Sequence, residues 1–368
     1  MGPPGENRSV STLRLIVDPT KPQTPKSAAA LDRAAELLRE GALVALPTET
    51  VYGLGANALD KDAVERIFAA KRRPAWDPII VHIASQQMLD LVAKVPKAAR
   101  PLMEAFWPGP LTLLLPRTPA VPDSVTAGRP LVGVRMPAHP VALEVIRRAG
   151  VPIAAPSANL FSHISPTTAD HVLQDLDGRI DAVLDAGPSL HGLESTVLDP
   201  NTSPMTIYRP GAVTAEQIRT VAGPVRFFRE DKEFVDVPVK SLPSPGVGLR
   251  HYAPRARLVL VDGPLSKLES MLAKEARAYK GEQLGIMLPG ELTAPAGLVS
   301  SRVYAWGLWA EPVEMARLLY TGLRALDAQK CTVILCPLPP ADGVGEAIRD
   351  RLRKAARSEA EETAPTSR

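Results

Sequence analysis

Apolar and polar positions alternate at two different periods along this chain, and the periods outline its elements. Over residues 27–40, Leu31, Ala34, Ala35 and Leu38 fall at i, i+3, i+4 and i+7. That spacing predicts a helix, and Gly41 supplies its stop. Residues 42–46 follow as a short apolar strand. Asp60 or Asp62 is placed to cap a helix over 63–71, with Val64, Ile67 and Phe68 on one face. Pro74 ends it. Residues 79–83, 111–115, 131–135, 151–155, 182–185 and 196–198 read as strands, separated by helices or proline turns. Their irregular spacing predicts an α/β region with a mixed sheet.

Turn signals crowd into residues 241–248, after the charged run 229–233, and mark a linker. Beyond it the alternation is regular. Strands are expected at 258–261, 284–288 and 332–336, with helices at 265–279, 312–329 and 344–356. This predicts a smaller, parallel, Rossmann-like sheet. The expected organisation is a first domain over residues 13–225, a linker over 226–254 and a second domain over 255–357. Residues 1–12 and 358–368 read as tails.

Composition narrows the picture. A length of 368 residues suits two domains, at roughly 100–200 residues each. The 38 prolines exclude a coiled coil or a plain helical bundle. A net charge of +3 and 4% aromatics argue against a dedicated RNA-binding module. Cys331 and Cys336 are the only cysteines and lie in an apolar stretch, so they read as buried reduced thiols rather than zinc ligands. No apolar run reaches the length of about 18 residues that suggests a membrane span. The first residues are polar, and a cytoplasmic, non-membrane protein is expected.

No P-loop pattern occurs in the sequence. Gly53-Leu-Gly55-Ala-Asn-Ala58 fits a dinucleotide fingerprint, but the next helix starts too late and no acidic residue follows where one is needed. It reads as a glycine turn. Pro47-Thr-Glu-Thr-Val-Tyr-Gly-Leu-Gly55 brings two threonine hydroxyls, Thr48 and Thr50, and Tyr52 to a strand end, where they suit a polar ligand or, more commonly, a surface turn. Lys71 and Arg73 close a helix. Cations there complement the helix dipole or clamp phosphate oxygens. His82 alternates with apolar neighbours, as a buried histidine or a site residue does. Ser157 and Asn159 lie two apart and project to one side of an extended segment. Ser165, Thr167, Ser195 and Arg209 add three hydroxyls and a cation near strand ends. This density of hydroxyl, amide and cationic groups exceeds what turns need. It is what a nucleoside-triphosphate site without a P-loop would use.

In order and spacing these segments resemble the Sua5/YrdC family, the threonylcarbamoyl-AMP synthases. The resemblance rests on Pro47–Gly55 as quoted, Lys71-x-Arg73-Pro74, the Val-His-Ile ending at Ile83, and Trp107-Pro-Gly-Pro-Leu-Thr112. It continues through Val134-Arg-Met-Pro-x-His-Pro140, Ala155-Pro-Ser-Ala-Asn159, Ser165-Pro-Thr167, Gly192-x-Glu-Ser-Thr-Val197 and Arg209-Pro-Gly211. Ser244-Pro-Gly246 and His251-Tyr-Ala-Pro254, followed by an α/β region, resemble the two-domain Sua5 branch.

The resemblance implies a YrdC-like twisted mixed sheet with a concave basic cavity, joined to a smaller Rossmann-like C-terminal domain. It implies that L-threonine, bicarbonate and ATP are the substrates of a nucleotidyltransferase, giving L-threonylcarbamoyl-AMP and pyrophosphate. The product feeds the N6-threonylcarbamoyl (t6A) modification of adenosine 37 in tRNA, so transient contact with the transferase machinery and tRNA is expected. Carried over by position, Lys71 and Arg73 are the catalytic cations. Lys71, Arg73, Ser157, Asn159, Ser165, Thr167, Arg209 and His251 bind ATP, with His251 as part of a lid in the linker. Thr48, His82, Thr126 and Ser195 bind threonine. No protein metal ligands are implied, because Mg2+ is held mainly by the phosphates.

Two departures stand out. Phe161-Ser-His-Ile164 replaces a frequent Ser-Gly-x-Pro, and Asp77 replaces the usual Asn before Pro78. Asp77 is expected to add negative charge near the cavity rim. Another carbamoyl-adenylate class, in hydrogenase maturation, carries zinc fingers, and this chain lacks the cysteines for them.

Overall fold

Residues 11–228, 242–244, 246–247 and 251–357 are described by the structure, a computed structural model. The charged run 229–233, Pro245 and most of both expected tails lie outside them. Thr12 does not belong to a tail: its hydroxyl donates to the Ile180 carbonyl at 3.1 Å.

The first helix, Pro25–Arg39, is capped by the Thr24 side chain and buries Leu31, Ala34, Ala35 and Leu38. Gly41 follows at a φ of 78°, the left-handed region its position after the helix requires. The helix Lys61–Lys71 starts at Asp60, whose carboxylate accepts the Asp62 and Ala63 N–H groups. It stops at Arg72, in the left-handed conformation at φ 53°. The stop leaves Lys71 on the last turn and Arg73 just beyond it, which fixes where these two cations go.

The first sheet holds β1 (Leu13–Ile16), β2 (Val44–Leu46), β3 (Gly53–Asn57), β4 (Ile80–His82), β5 (Leu111–Pro116) and β6 (Leu131–Arg135). It continues with β7 (Ile153–Ala154), β8 (Ala182–Asp185), β9 (Thr196–Asp199), β10 (Met205–Arg209) and β11 (Val225–Phe227). Their spatial order is β1-β8-β2-β3-β7-β4-β6-β5-β9-β10-β11. Parallel and antiparallel pairs alternate irregularly, as β4 runs parallel to β6 and antiparallel to β7. The expected mixed sheet is therefore present.

One expectation is corrected. Gly53–Asn57 is strand β3, paired with β2 and β7, and not a glycine turn. A Cβ on Gly55 would sit 2.9 Å from Ile153 Cγ2 and 3.1 Å from the Val44 carbonyl. The glycine serves close packing of neighbouring strands.

The second sheet is β12 (Arg257–Val261), β13 (Leu284–Leu288), β14 (Val303–Ala305) and β15 (Val333–Pro337). All pairs are parallel, in the order β12-β15-β13-β14. Helices Leu265–Ala278, Pro312–Ala328 and Gly345–Ala356 alternate with the strands, as the sequence pattern predicts. Cys331 and Cys336 are buried free thiols. The apolar cores do not separate cleanly between the sheets. Val51, Ile164 and Leu193, from loops of the first sheet, share one buried cluster with Trp306, Met315 and Leu319 of the second. Among the described residues no helix is long and apolar enough to cross a membrane.

Candidate active site

Strand ends of the first sheet converge on one cavity. Thr48 and Thr50 reach it from the loop after β2, and His82 from β4. Arg135 enters from β6, Ser157 from the segment after β7, Ser195 from just before β9, and Arg209 from the end of β10. Arg73 comes from beyond the helix, and Gly246, His251 and Tyr252 close the cavity from the linker. Three arginines line it against one carboxylate, Glu194.

Seven of the expected site residues thus meet here: Thr48, Arg73, His82, Ser157, Ser195, Arg209 and His251. Lys71, Asn159, Ser165, Thr167 and Thr126 do not line the cavity. Lys71 is only 1% exposed, and its ammonium donates to the carbonyls of Ser157 and Asn159. Burial, with Arg73 nearby, pulls its pKa well below the ordinary lysine value. Lys71 therefore clamps the segment that carries Ser157. Asn159 donates its amide N–H groups to the Leu160 and His163 carbonyls at 2.7 and 2.9 Å. Ser165 donates to Glu194 Oε1 at 2.5 Å. The Thr167 hydroxyl is 3.2 Å from Thr321 Oγ1, on a helix of the second sheet. Thr126 ends the short helix Asp123–Thr126 and is buried.

Arg73 is held rather than free. Its Nη2 lies 2.9 Å from Asp77 Oδ1 and donates to the Pro78 carbonyl at 2.8 Å, while Nε donates to the Asp77 carbonyl at 3.1 Å. Asp77 is fully buried, so its charge is not at the cavity rim as expected but beneath Arg73. Burial pushes the Asp77 carboxyl up, yet Arg73 and His251 outweigh this and hold it below the ordinary value. His251 Nε2 stands 3.7 Å from Asp77 Oδ2. Phe161, from the other departure, packs edge-on against the His251 ring at 5.1 Å and against Trp76 at 6.2 Å. Both departures therefore bear on the linker histidine.

A second group of residues around the cavity is linked by hydrogen bonds. Arg135 Nη2 pairs with Glu49 at 2.6 Å, and Nη1 donates to Thr50 Oγ1 at 2.8 Å. Thr50 and Thr48 hydroxyls are 2.8 Å apart, and Thr48 donates onward to the Val51 carbonyl at 2.6 Å. His82 is buried, and burial with Arg135 nearby depresses its pKa to about 3. It is a neutral imidazole at physiological pH. Arg209 donates Nε and Nη2 to the Ser195 carbonyl at 3.1 and 2.9 Å, and Nη2 to Ser195 Oγ at 3.1 Å. Ser195 Oγ is also 2.8 Å from Thr112 Oγ1.

Sequence reasoning missed Arg135, Glu194 and Tyr252, and noted the Thr50 hydroxyl without assigning it to the site. All four stand inside the quoted motifs, so the signal was present, but no residue of Val134–Pro140 was assigned to the site, and next to Glu194 and Tyr252 only Ser195 and His251 were. The cavity presents cations and hydroxyls, and no cysteine. Among the described residues no cluster of His, Cys, Asp and Glu suits a metal ion.

A two-sheet α/β protein with a cation-lined cleft for a polar, anionic small molecule is what fold and site together define. Comparison with known proteins is more specific. The Sua5_yciO_yrdC family, described as telomere recombination, matches residues 36–211. The Sua5_C family, described as the threonylcarbamoyl-AMP synthase C-terminal domain, matches residues 213–357. The threonylcarbamoyl-AMP synthase of Bacillus subtilis is 44% identical over 350 residues, covering 94% of this chain and 98% of that protein. That of Pyrococcus abyssi is 43% identical over 325 residues, covering 88% and 92%. The crystal structure of P. abyssi Sua5 complexed with L-threonine superposes with a TM-score of 0.83 at 41% identity, covering 94% and 98%. The chain belongs to the Sua5 family.

Proposed function

We propose that this protein is a threonylcarbamoyl-AMP synthase. It joins L-threonine, bicarbonate and ATP into L-threonylcarbamoyl-AMP, with release of pyrophosphate and water. The observation that carries this reading is the cavity lining itself, where Arg73 and Arg209 meet Thr48, Thr50 and neutral His82.

Threonine binds as the ammonium and loses one proton to water; the free amine then attacks the bicarbonate carbon and water leaves. A carbamate oxygen then attacks the α-phosphorus of ATP, and pyrophosphate departs with the electron pair of the broken P–O bond. The nucleophile belongs to the substrate, so the protein has to align the two reactants and offset developing charge. Arg73 and Arg209 are assigned to the phosphates. Lys71 acts by holding Ser157 and Asn159 in place. Thr48, His82 and Ser195 are assigned to threonine, and an uncharged His82 accepts a hydrogen bond without repelling the ammonium group. Thr126, Ser165 and Thr167 would support these from behind the cavity wall. Glu194, the only carboxylate in the lining, is already engaged by Ser165, Tyr320 and Arg351. Magnesium would therefore arrive with ATP, bound by phosphates and water.

The free space inside the cavity is about 60 Å³, against roughly 300 Å³ or more for a ligand pocket. The segment carrying His251 and Tyr252 would withdraw to admit ATP and return to exclude water. A cytoplasmic setting, with product passed to a tRNA-modifying transferase, fits this chemistry. The test is pyrophosphate release with threonine, bicarbonate and ATP omitted in turn. Each omission should abolish release. Release that persists without threonine would overturn the reading.

A further inference from the structure

The helix Gly345–Ala356 belongs to the second sheet, yet it makes two polar ties to the cavity. The first runs through Arg351, whose side chain is 1% exposed. Its Nε donates to Glu194 Oε2 at 2.7 Å, and its guanidinium carbon lies 5.0 Å from the centre of the Tyr252 ring. Tyr320, also from the second sheet, donates to the same Glu194 oxygen at 2.9 Å. Two of the donors that hold this buried carboxylate thus come from across the junction. Glu194 directly precedes Ser195, whose carbonyl and hydroxyl orient Arg209.

The second tie is Lys354, whose Nζ donates to the Gly246 carbonyl at 2.8 Å. Gly246 has a φ of 78°, and a Cβ there would lie 2.6 Å from Arg209 Cδ. The backbone at Gly246 is therefore seated directly on the Arg209 side chain. Both ties lead to one residue, Arg209, the first through Glu194 and Ser195 and the second through Gly246. Docking two domains needs only an apolar contact, and one is already present around Trp306 and Leu319. A buried carboxylate beside the site adds a desolvation cost that only paired, well-placed donors offset.

We propose that Arg351 and Lys354 are positioning residues of the adenylation site, which set Arg209 and so govern ATP affinity from the second sheet. This rests on the reading of Arg209 as an ATP ligand. The experiment is calorimetric titration of Mg–ATP into the full-length protein and its K354M, R351M and R351K variants, with thermal melting of each. Leu272→Ala, which opens the core of the second sheet away from the junction, serves as a stability control. The expected result is ATP binding at least about tenfold weaker in K354M and R351M. R351K should recover part of the loss, and L272A should melt earlier with unchanged affinity. If R351M does not fold, K354M still decides. ATP affinity within about twofold of the parent in K354M, or in a folded R351M, would overturn the proposal, as would an equal loss in L272A. A parent protein that binds ATP but releases no threonine-dependent pyrophosphate would overturn the functional reading instead, since positioning is judged on affinity alone.

Discussion

Lys71 and Arg73 stand two residues apart at one helix end, yet Lys71 holds two backbone carbonyls and Arg73 lines the cavity. Their place at a helix end beside a proline was legible, and so was a link to phosphate. Their division of labour was not, because it depends on partners brought in from elsewhere in the chain. Lys71 spends its charge on two carbonyls more than 80 residues away, at separations of 86 and 88. Lys71→Met should therefore lower turnover at least about 100-fold and also destabilise the fold, since each orphaned buried acceptor costs about 1–3 kcal/mol. Pyrophosphate release and thermal melting would check this, and near-parental turnover would contradict it. His82 carries a second prediction. Its pKa near 3 means that its ring resonances should not titrate between about pH 5 and 8, the range where an ordinary histidine does. A titration midpoint near 6.5 in NMR spectra would show that the ring is hydrated and its assigned role wrong.

Elements were easier to read where periodicity was long. The helix Lys61–Lys71 and the strands Leu131–Arg135 and Ala182–Asp185 match the pattern to within a residue or two. β3, β11 and β14 were lost, while β2 and β4, of three residues each, were legible inside longer apolar runs. β3 contains two glycines, a composition that ordinarily signals a turn, and only its two strand neighbours make it a strand. β11 and β14 have three residues each, too few to show alternation. At the end of β10, Gly211 packs against the segment that carries Ser195. A Cβ there would lie 2.4 Å from the Thr196 nitrogen and 2.5 Å from the Glu194 carbonyl. Backbone has to shift to admit it. Gly211→Ala should cost about 1–3 kcal/mol of stability and weaken ATP binding by moving Arg209. Urea denaturation and ATP titration measure the two effects, and a variant with both unchanged would refute the tight packing of this corner.

At the scale of the whole molecule, the two sheets were legible and their junction was not. Glu194 and Arg351 are 157 residues apart, and nothing local pairs them. Burial raises the Glu194 pKa, but Arg351 and Arg209 outweigh this and bring it from 4.5 to about 2. The ion pair's contribution is therefore full above about pH 4.5 and disappears as pH falls towards about 2. Parent and Glu194→Gln should differ by on the order of 3 kcal/mol near neutrality and converge through that window in urea denaturation. A constant difference would place the carboxylate's role elsewhere. The junction also returns the reading to function, because the same carboxylate borders the cavity where threonine, bicarbonate and ATP are proposed to meet. Incubation of the protein with Mg–ATP, L-threonine and 13C-bicarbonate, followed by mass spectrometry, tests that proposal most directly. Threonylcarbamoyl-AMP carrying the label is the expected product, and ATP consumed without any labelled adenylate would contradict it.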